Sequence, residues 1–214
     1  MVNFPLDPKL SKCILASREN NCSEEMVTIV ALLSVESVTY SPSNLRDLVG
    51  KVREKFVSSE GDHITLLNTF RGHKQAKGNQ GWCSEHFINS RAMKTVHKVR
   101  NQLRELCQRH SIPLNSCGKE YSKIRQSLAA GLFTYSAELQ KDGTYQTIVQ
   151  KQQVTIHPSS ALFRSKPAYL VYTELIKTSK CYMRNVSIVD PQWLIESCPK
   201  YFRNQKILPQ VVKS

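Results

Sequence analysis

The side chains best equipped for chemistry are concentrated in one run, "HPSSALFRSKPAYLVYTELIKTSKCYMR", residues 157–184. His157 stands two positions before Ser159 and three before Ser160, Lys180 stands two before Tyr182, and Arg184 closes the run. Two chemistries use these types. A serine beside an imidazole is the beginning of an acyl-transfer site, serine as nucleophile and histidine as base. Hydroxyls, an imidazole and cations interleaved with an aromatic ring also suit a nucleic-acid strand, because they contact phosphate and sugar oxygens while the ring stacks on a base. The hydrolase reading lacks its scaffold: no G-x-S-x-G surrounds either serine, and no third member of a triad can be placed. Pro158 instead fixes a polar turn leaving a strand, from which His157, Ser159 and Ser160 can donate to phosphate or sugar oxygens. Tyr182 and Arg184 share one strand face and Cys181, Met183 and Asn185 the other, so Tyr182 is either a stacking ring or a core residue.

A second group lies upstream. From Ala92 the apolar residues Ala92, Val96, Val99, Leu103 and Leu106 step by four and three, which predicts a helix with one buried seam. Arg91, Lys94 and Lys98 line one flank of that seam; His97, Arg100 and Arg104 line the other. Residues 89–126 hold nine Lys or Arg against two Glu, whereas residues 1–88 hold ten of each sign. Charge runs are commonly solvated helix faces, but so uneven a distribution points to a surface that faces phosphates. Asn89, at the head of the segment, fits two roles: a contact to backbone or base edges, or an N-cap.

The composition agrees with an anionic partner. Thirty Lys and Arg against 17 Asp and Glu give 214 residues a net charge of +13 and a pI near 9.5. Met26–Val38, the most apolar stretch, is too short to span a bilayer and contains Glu36, so it reads as a core helix and no membrane partner is expected. The first ten residues show no basic leader or cleavage site, and seven cysteines without a C-x-x-C pair suggest buried thiols in a reducing, intracellular compartment rather than a zinc site. Trp82 and Trp193 sit beside apolar helical positions and read as packing residues.

The elements that position these groups change period midway. Asp7-Pro8 predicts a capped helix, Ser23 with Glu24 and Glu25 the start of another, and Leu45, Leu48, Val49, Val52 and Phe56 an amphipathic third. Asp62 is expected to cap "HITLLNTFRGHK", and the stretch from Gly72 to Gly81 to break the helical run. From Leu132 to Val189 the pattern alternates, with Asp142-Gly143 marking a hairpin, and five strands are expected. Asp190-Pro191 opens a last helix. The fold class is α+β: a helical bundle, then a small five-stranded barrel with a C-terminal helix. Five short strands fit an oligonucleotide-binding barrel or an SH3-like one.

"FPLDPKLSKCIL", "SSEGDHITLLNTF", "WCSEHFINSRAM", "VRNQLREL", "IHPSSALF" and "VYTELIKTSKCYMRNVSIVDPQWLIESCPKYF" resemble, in order and spacing, the C-terminal part of DEAH-box RNA helicases. The likeness covers nearly the whole chain and is greatest to the metazoan branch linked with nucleoli and ribosome production. It implies a helical ratchet (helicase-associated) domain over 1–126, an oligonucleotide-binding fold over 127–206 and a tail over 207–214. It also implies a nuclear, nucleolar address and a place in the wall of a single-stranded RNA tunnel, beside RecA-like and winged-helix domains and activators of the G-patch type. Asn89, Arg91, Lys94, Lys98, His157, Ser159, Ser160, Lys180, Tyr182 and Arg184 are the expected RNA contacts. The alternative is a protein-interaction module that turns the same basic surfaces to activators or acidic ribonucleoprotein partners.

The motor motifs are missing from this stretch. Gly50-Lys51 and Gly118-Lys119 have Leu45 and Pro113 where a P-loop needs its first glycine, and no Asp-Glu-Ala-His run occurs. No catalytic residue, cofactor or metal is expected here; ATP and magnesium belong to the full-length helicase, of which this chain reads as a fragment or truncated gene model.

Overall fold

A computed structural model describes residues 6–203, so the expected tail at 207–214 lies outside the described residues. Seven helices come first: α1 (Pro8–Glu19), α2 (Ser23–Leu33), α3 (Arg46–Arg53), α4 (Asp62–Gln75), α5 (Gln80–Glu85), α6 (Ser90–Arg109) and α7 (Tyr121–Leu132). Five strands follow: β1 (Ser136–Leu139), β2 (Tyr145–Thr147), β3 (Gln153–Ile156), β4 (Tyr169–Lys177) and β5 (Cys181–Ile188); α8 (Pro191–Ser197) and α9 (Pro199–Phe202) end the described chain. Helix α7 runs without a break through residue 126, where the two domains are expected to meet.

Local chemistry accounts for several helix starts. Asp7 accepts from the Lys9 amide at 3.0 Å with Pro8 in the first turn, and Asp190 does the same for Gln192 at 2.8 Å ahead of Pro191. Two expected caps turn out otherwise. Ser23 is already helical, and its hydroxyl donates to the Pro113 carbonyl and accepts from the Asn115 amide at 2.9 Å, tying α2 to the segment before α7. Asp62 likewise lies inside α4, after Gly61, and spends its carboxylate elsewhere. Gly72 also departs from expectation: it continues α4, where a Cβ would meet the Phe56 ring at 2.7 Å, so it is glycine for close packing and not for a break.

The strands close into a barrel in the order β1-β2-β3-β5-β4, antiparallel except for β3 with β5. Its interior holds Ala137, Tyr145, Val154, Ile156, Leu162, Leu170, Tyr172, Met183 and Val186. Alternation along β4 sends Leu170 and Tyr172 inward and Val171 outward, yet Val171 is also fully buried, because that wall packs against the helices. Inward positions shift phase further along: Met183 and then Val186 face inward on β5, and Asn185 between them takes φ 51°. Its amide donates to the Thr173 hydroxyl across the ladder at 3.0 Å. The register of β4 with β5 is the same on both sides of this position, so the irregularity is confined to Asn185.

A second core runs through the bundle, with Ile14, Met26, Ile29, Ile64, Met93, Ile124, Leu128 and Leu132 fully buried. Gly131 allows α7 to lie against α1 so closely that a Cβ would fall 2.1 Å from the Cys13 sulfur. All seven cysteines are free; burial pushes the Cys13 and Cys117 thiols up to about 12 and those of Cys22 and Cys107 up to about 11, so they pack as inert thiols. Trp82 stacks on His86 with ring centroids 4.4 Å apart and Trp193 packs against the bundle core, both as packing residues. No helix among the described residues is long and apolar enough to cross a membrane.

Candidate nucleic-acid interface

Helix α6 carries two basic flanks with different surroundings. On one, Arg91, Lys94 and Lys98 are exposed, and none of them enters an ion pair among the described residues. On the other, Arg100 reaches Glu24 at 2.6 Å and the Thr28 hydroxyl at 2.8 Å, Arg104 reaches the same carboxylate at 3.0 Å, and His97 meets the His73 ring nitrogen at 3.4 Å. The second flank is a helix–helix contact. Glu24 of α2 holds both guanidinium groups in ion pairs and offsets one of their two charges. The seam between them also shifts: Met93, Val96, Leu103 and Cys107 are buried, while Ala92, Val99 and Leu106 only border the core.

Asn89 opens α6 by accepting from the Ala92 amide at 3.1 Å, so its side-chain oxygen serves as a cap. Its own amide donates to the Val38 carbonyl at 2.9 Å, and Ile88 bridges to Thr39. The Arg91 end of the basic row therefore adjoins the 34–40 loop.

That loop lines a cleft of about 1100 Å³ between the bundle and the barrel. The barrel contributes His157, Ser159, Ser160, Thr173, Glu174 and Arg184; the bundle contributes Lys9, Arg53, Asp62 and Thr65 among others. Four of the expected contacts thus line one cavity. Lys180 and Tyr182 do not line it: Lys180 is exposed at the β4–β5 turn, and Tyr182 packs edge-on against His157 at 5.6 Å on the barrel's outer face, opposite Met183.

The cleft's own cations are largely engaged. Lys9 pairs with Asp7 at 3.3 Å and donates to the Thr173 carbonyl at 2.9 Å; Arg184 pairs with Glu174 at 3.7 Å. Arg53 donates to the carbonyls of His86 and Phe87 at 3.0 Å and to that of Tyr40, clasping the loop beside α6. With Glu36 and Asp62 also on its walls the cleft is polar and close to charge balance, whereas uncompensated positive charge lies along α6.

The turn after β3 is a self-supporting unit. His157 Nδ1 lies 2.7 Å from the Ser159 hydroxyl and accepts from the Ser159 amide at 3.2 Å, while the Leu162 amide donates to the Ser160 hydroxyl at 3.1 Å. An imidazole nitrogen already facing the amide of its partner serine, in an exposed turn, is a turn brace and not a general base; among the described residues no carboxylate orients the ring by a hydrogen bond. Leu162 anchors the turn in the barrel core, and the next residue, Phe163, is 43% exposed beside exposed Arg164 and Lys166. Phe163, Arg164, Lys9 and Arg53 were not singled out in the sequence. An aromatic followed by arginine on a loop was a usable signal for the first pair; the placement of Lys9 and Arg53 depends on long-range packing.

Bundle and barrel meet at Gly61-Asp62-His63. Gly61 bridges to Ser187 with φ 129°, and a Cβ there would lie 2.5 Å from the Val186 carbonyl oxygen. The Asp62 carboxylate accepts from the Ala161 amide at 2.8 Å and the Val186 amide at 2.9 Å; burial raises its pKa against those two hydrogen bonds. His63, fully buried, sits 2.7 Å from the Ser187 hydroxyl, and burial depresses its pKa to about 3. Arg125 pairs with Glu60 at the same joint.

Two family models match the chain: a ratchet-like helicase associated domain over residues 7–66 and an oligonucleotide/oligosaccharide-binding fold over residues 124–201. The chain is 52% identical over 205 residues to the ATP-dependent RNA helicase DHX33 of Mus musculus and to that of Homo sapiens, covering 96% of this chain and 29% of theirs. It is 40% identical over 204 residues to the pre-mRNA-splicing factor ATP-dependent RNA helicase prp22 of Schizosaccharomyces pombe, covering 95% of this chain and 18% of that protein. The chain carries the ratchet and OB-fold domains of the DEAH-box RNA helicases. It spans less than a third of the length of these curated relatives. The basic row on α6 lies between the two matched stretches, the 157–163 turn is part of the loop between the third and fourth strands of the OB fold, and the cleft lies between the helical bundle and the barrel. Nothing here fits the ATP and magnesium implied for a full-length helicase. Among the described residues no group of three or more His, Cys, Asp or Glu is placed to hold a metal ion, and no P-loop occurs in the sequence.

Proposed function

We propose that this chain is the RNA-binding module of a DEAH-box helicase, lining part of a single-stranded RNA tunnel. The observation that supports this most is the row of Arg91, Lys94 and Lys98. These three cations stand exposed and without an ion pair among the described residues, on the same helix whose other flank is held in ion pairs with Glu24. The row spans about 10 Å of helix and begins beside the loop that lines the cleft. A strand on this track would meet phosphate-neutralising charge along the ratchet, then the hydroxyls and imidazole of the 157–160 turn and Arg184 at the cleft. Tyr182 and Lys180 on the outer barrel face, with Phe163 and Arg164, extend the contact beyond the cavity. Asn89 positions Arg91 through its cap and offers its side-chain amide at the start of the track. Phosphate contacts of this kind confer affinity with little sequence preference and strong salt dependence.

On this reading ATP hydrolysis belongs to RecA-like domains elsewhere in the parent protein, with magnesium at the nucleotide, and the module converts their motion into RNA unwinding or ribonucleoprotein remodelling. A nuclear, nucleolar address and activators of the G-patch type follow from the family resemblance. A second reading, a protein-docking role, draws on Tyr40, Leu45, Leu48 and Val57, which expose apolar surface around α3; of the expected stripe only Val49 on α3 and Phe56 in the turn after it are buried.

The test is fluorescence-anisotropy binding of the whole chain to single-stranded RNA over a salt series, with duplex RNA for comparison. Replacing Arg91, Lys94 and Lys98 together with Ala should weaken binding at least about tenfold and lower the slope of log affinity against log salt by about 2, at ~0.7 per phosphate. Unchanged affinity in a folded triple variant would return the row to a solvated helix face.

A further inference from the structure

An acidic side chain on the wall of a phosphate-binding cleft works against affinity, so Asp62 calls for an explanation that the RNA reading does not supply. Its position at the start of α4 suits a helix cap, yet it makes no side-chain cap bond. Both carboxylate oxygens instead cross to the barrel, one to the Ala161 amide at 2.8 Å and the other to the Val186 amide at 2.9 Å. Those amides belong to separate pieces of the OB fold. Ala161 ends the turn that presents His157, Ser159 and Ser160; Val186 follows Arg184 and the left-handed Asn185. Each piece is already fixed from inside the barrel, by Leu162 and Val186, both fully buried, and Asp62 fixes each from outside. Gly61 makes the approach possible, since any side chain there would strike Val186 and Ser187. Ser160 and His157 lie near enough to favour the ionised carboxylate against the cost of its burial.

We propose that Asp62 is a positioning residue for RNA binding: by accepting from the amides of Ala161 and Val186 it sets the spacing between the His157–Ser160 turn and Arg184 across the cleft. The proposal rests on the RNA reading above. It assigns the ratchet an active part in shaping the OB-fold contact, because the carboxylate that sets the barrel's geometry comes from α4.

Asp62→Asn keeps the shape but offers a single acceptor, so one amide loses its partner. In the whole chain, hydrogen exchange at Ala161 or Val186 should accelerate at least about tenfold while Val30 and Leu128 in the bundle core stay protected. Single-stranded RNA binding should weaken about tenfold, non-additively with Ser159→Ala and additively with Lys94→Ala. Additive losses with both partners would mean a general effect of destabilisation and would overturn the proposal, as would full affinity in the variant. If the wild-type chain binds no RNA, the RNA reading fails; exchange then decides the structural half alone, and unchanged protection at both amides overturns it. Should Asp62→Asn not fold, Asp62→Glu keeps the charge and misplaces it by one methylene, with the same changes expected.

Discussion

The two flanks of α6 carry similar side chains at similar spacing and end in opposite states. Arg100 and Arg104 face Glu24 on α2, and Arg100 also lies 5.7 Å from the Phe70 ring; Arg91, Lys94 and Lys98 face solvent. The difference shows that a count of basic residues overstates a binding surface. Charge available to a polyanion is what remains after the fold has taken its own ion pairs, and on α6 that remainder is a single row.

Removing Arg100 should produce the largest effect on stability. Arg100→Met keeps the aliphatic stem but leaves Glu24 and Thr28 without their main donor, at a cost of about 2 kcal/mol, below the fully buried range because both partners retain some exposure. Urea unfolding would show the loss, while the folded variant should keep the wild-type salt slope in RNA binding. A reduced slope would place Arg100 on the RNA-facing side and erase the contrast. Glu24→Gln should act next, costing about 1 kcal/mol. It also releases Arg104, which is 40% exposed, so the salt slope should steepen by up to about 0.7, one further phosphate contact. An unaltered slope would mean that Arg104 cannot reach the strand even when unpaired.

Local signals in the sequence carried much of this architecture. Asp7-Pro8 and Asp190-Pro191 are caps whose partners lie two residues away, and the five strands follow from alternation and the Asp142-Gly143 turn. Non-local pairings were hidden. Ser23 and Asp62 have the right types for caps, but their partners, Asn115 and Val186, lie 92 and 124 residues distant. The parallel pairing of β3 with β5, which brings His157 beside Tyr182, has no signature in either strand. The basic row was legible as a pattern, whereas its separation from the paired flank depended on Glu24, far away on α2. The inward face of β5 became readable only with Met183 seen in the barrel core.

The smallest expected effect concerns the third member of the paired flank. His97 and His73 lie 3.4 Å apart nitrogen to nitrogen, packed against Phe70 and Trp82, and burial lowers the pKa of both, helped at His73 by His97 and at His97 by Arg100 and Lys74. The folded state therefore binds protons at this pair less readily than the unfolded chain. Its contribution is fully present above the unfolded value of about 6.5 and declines as the pH falls through the lower folded values. Between pH 7.5 and 5 the melting temperature of the wild type should fall relative to that of His97→Gln, which removes one titrating ring and the repulsion of two imidazolium ions in contact. Lys98→Gln on the other flank, where the side chain is exposed, keeps both rings, so its pH profile should run parallel to that of the wild type. Parallel pH profiles for the wild type and His97→Gln would show that the pair is solvated on protonation, and that the contact between α4 and α6 rests on their shared apolar core and on Arg100 over the Phe70 ring, without a histidine contribution.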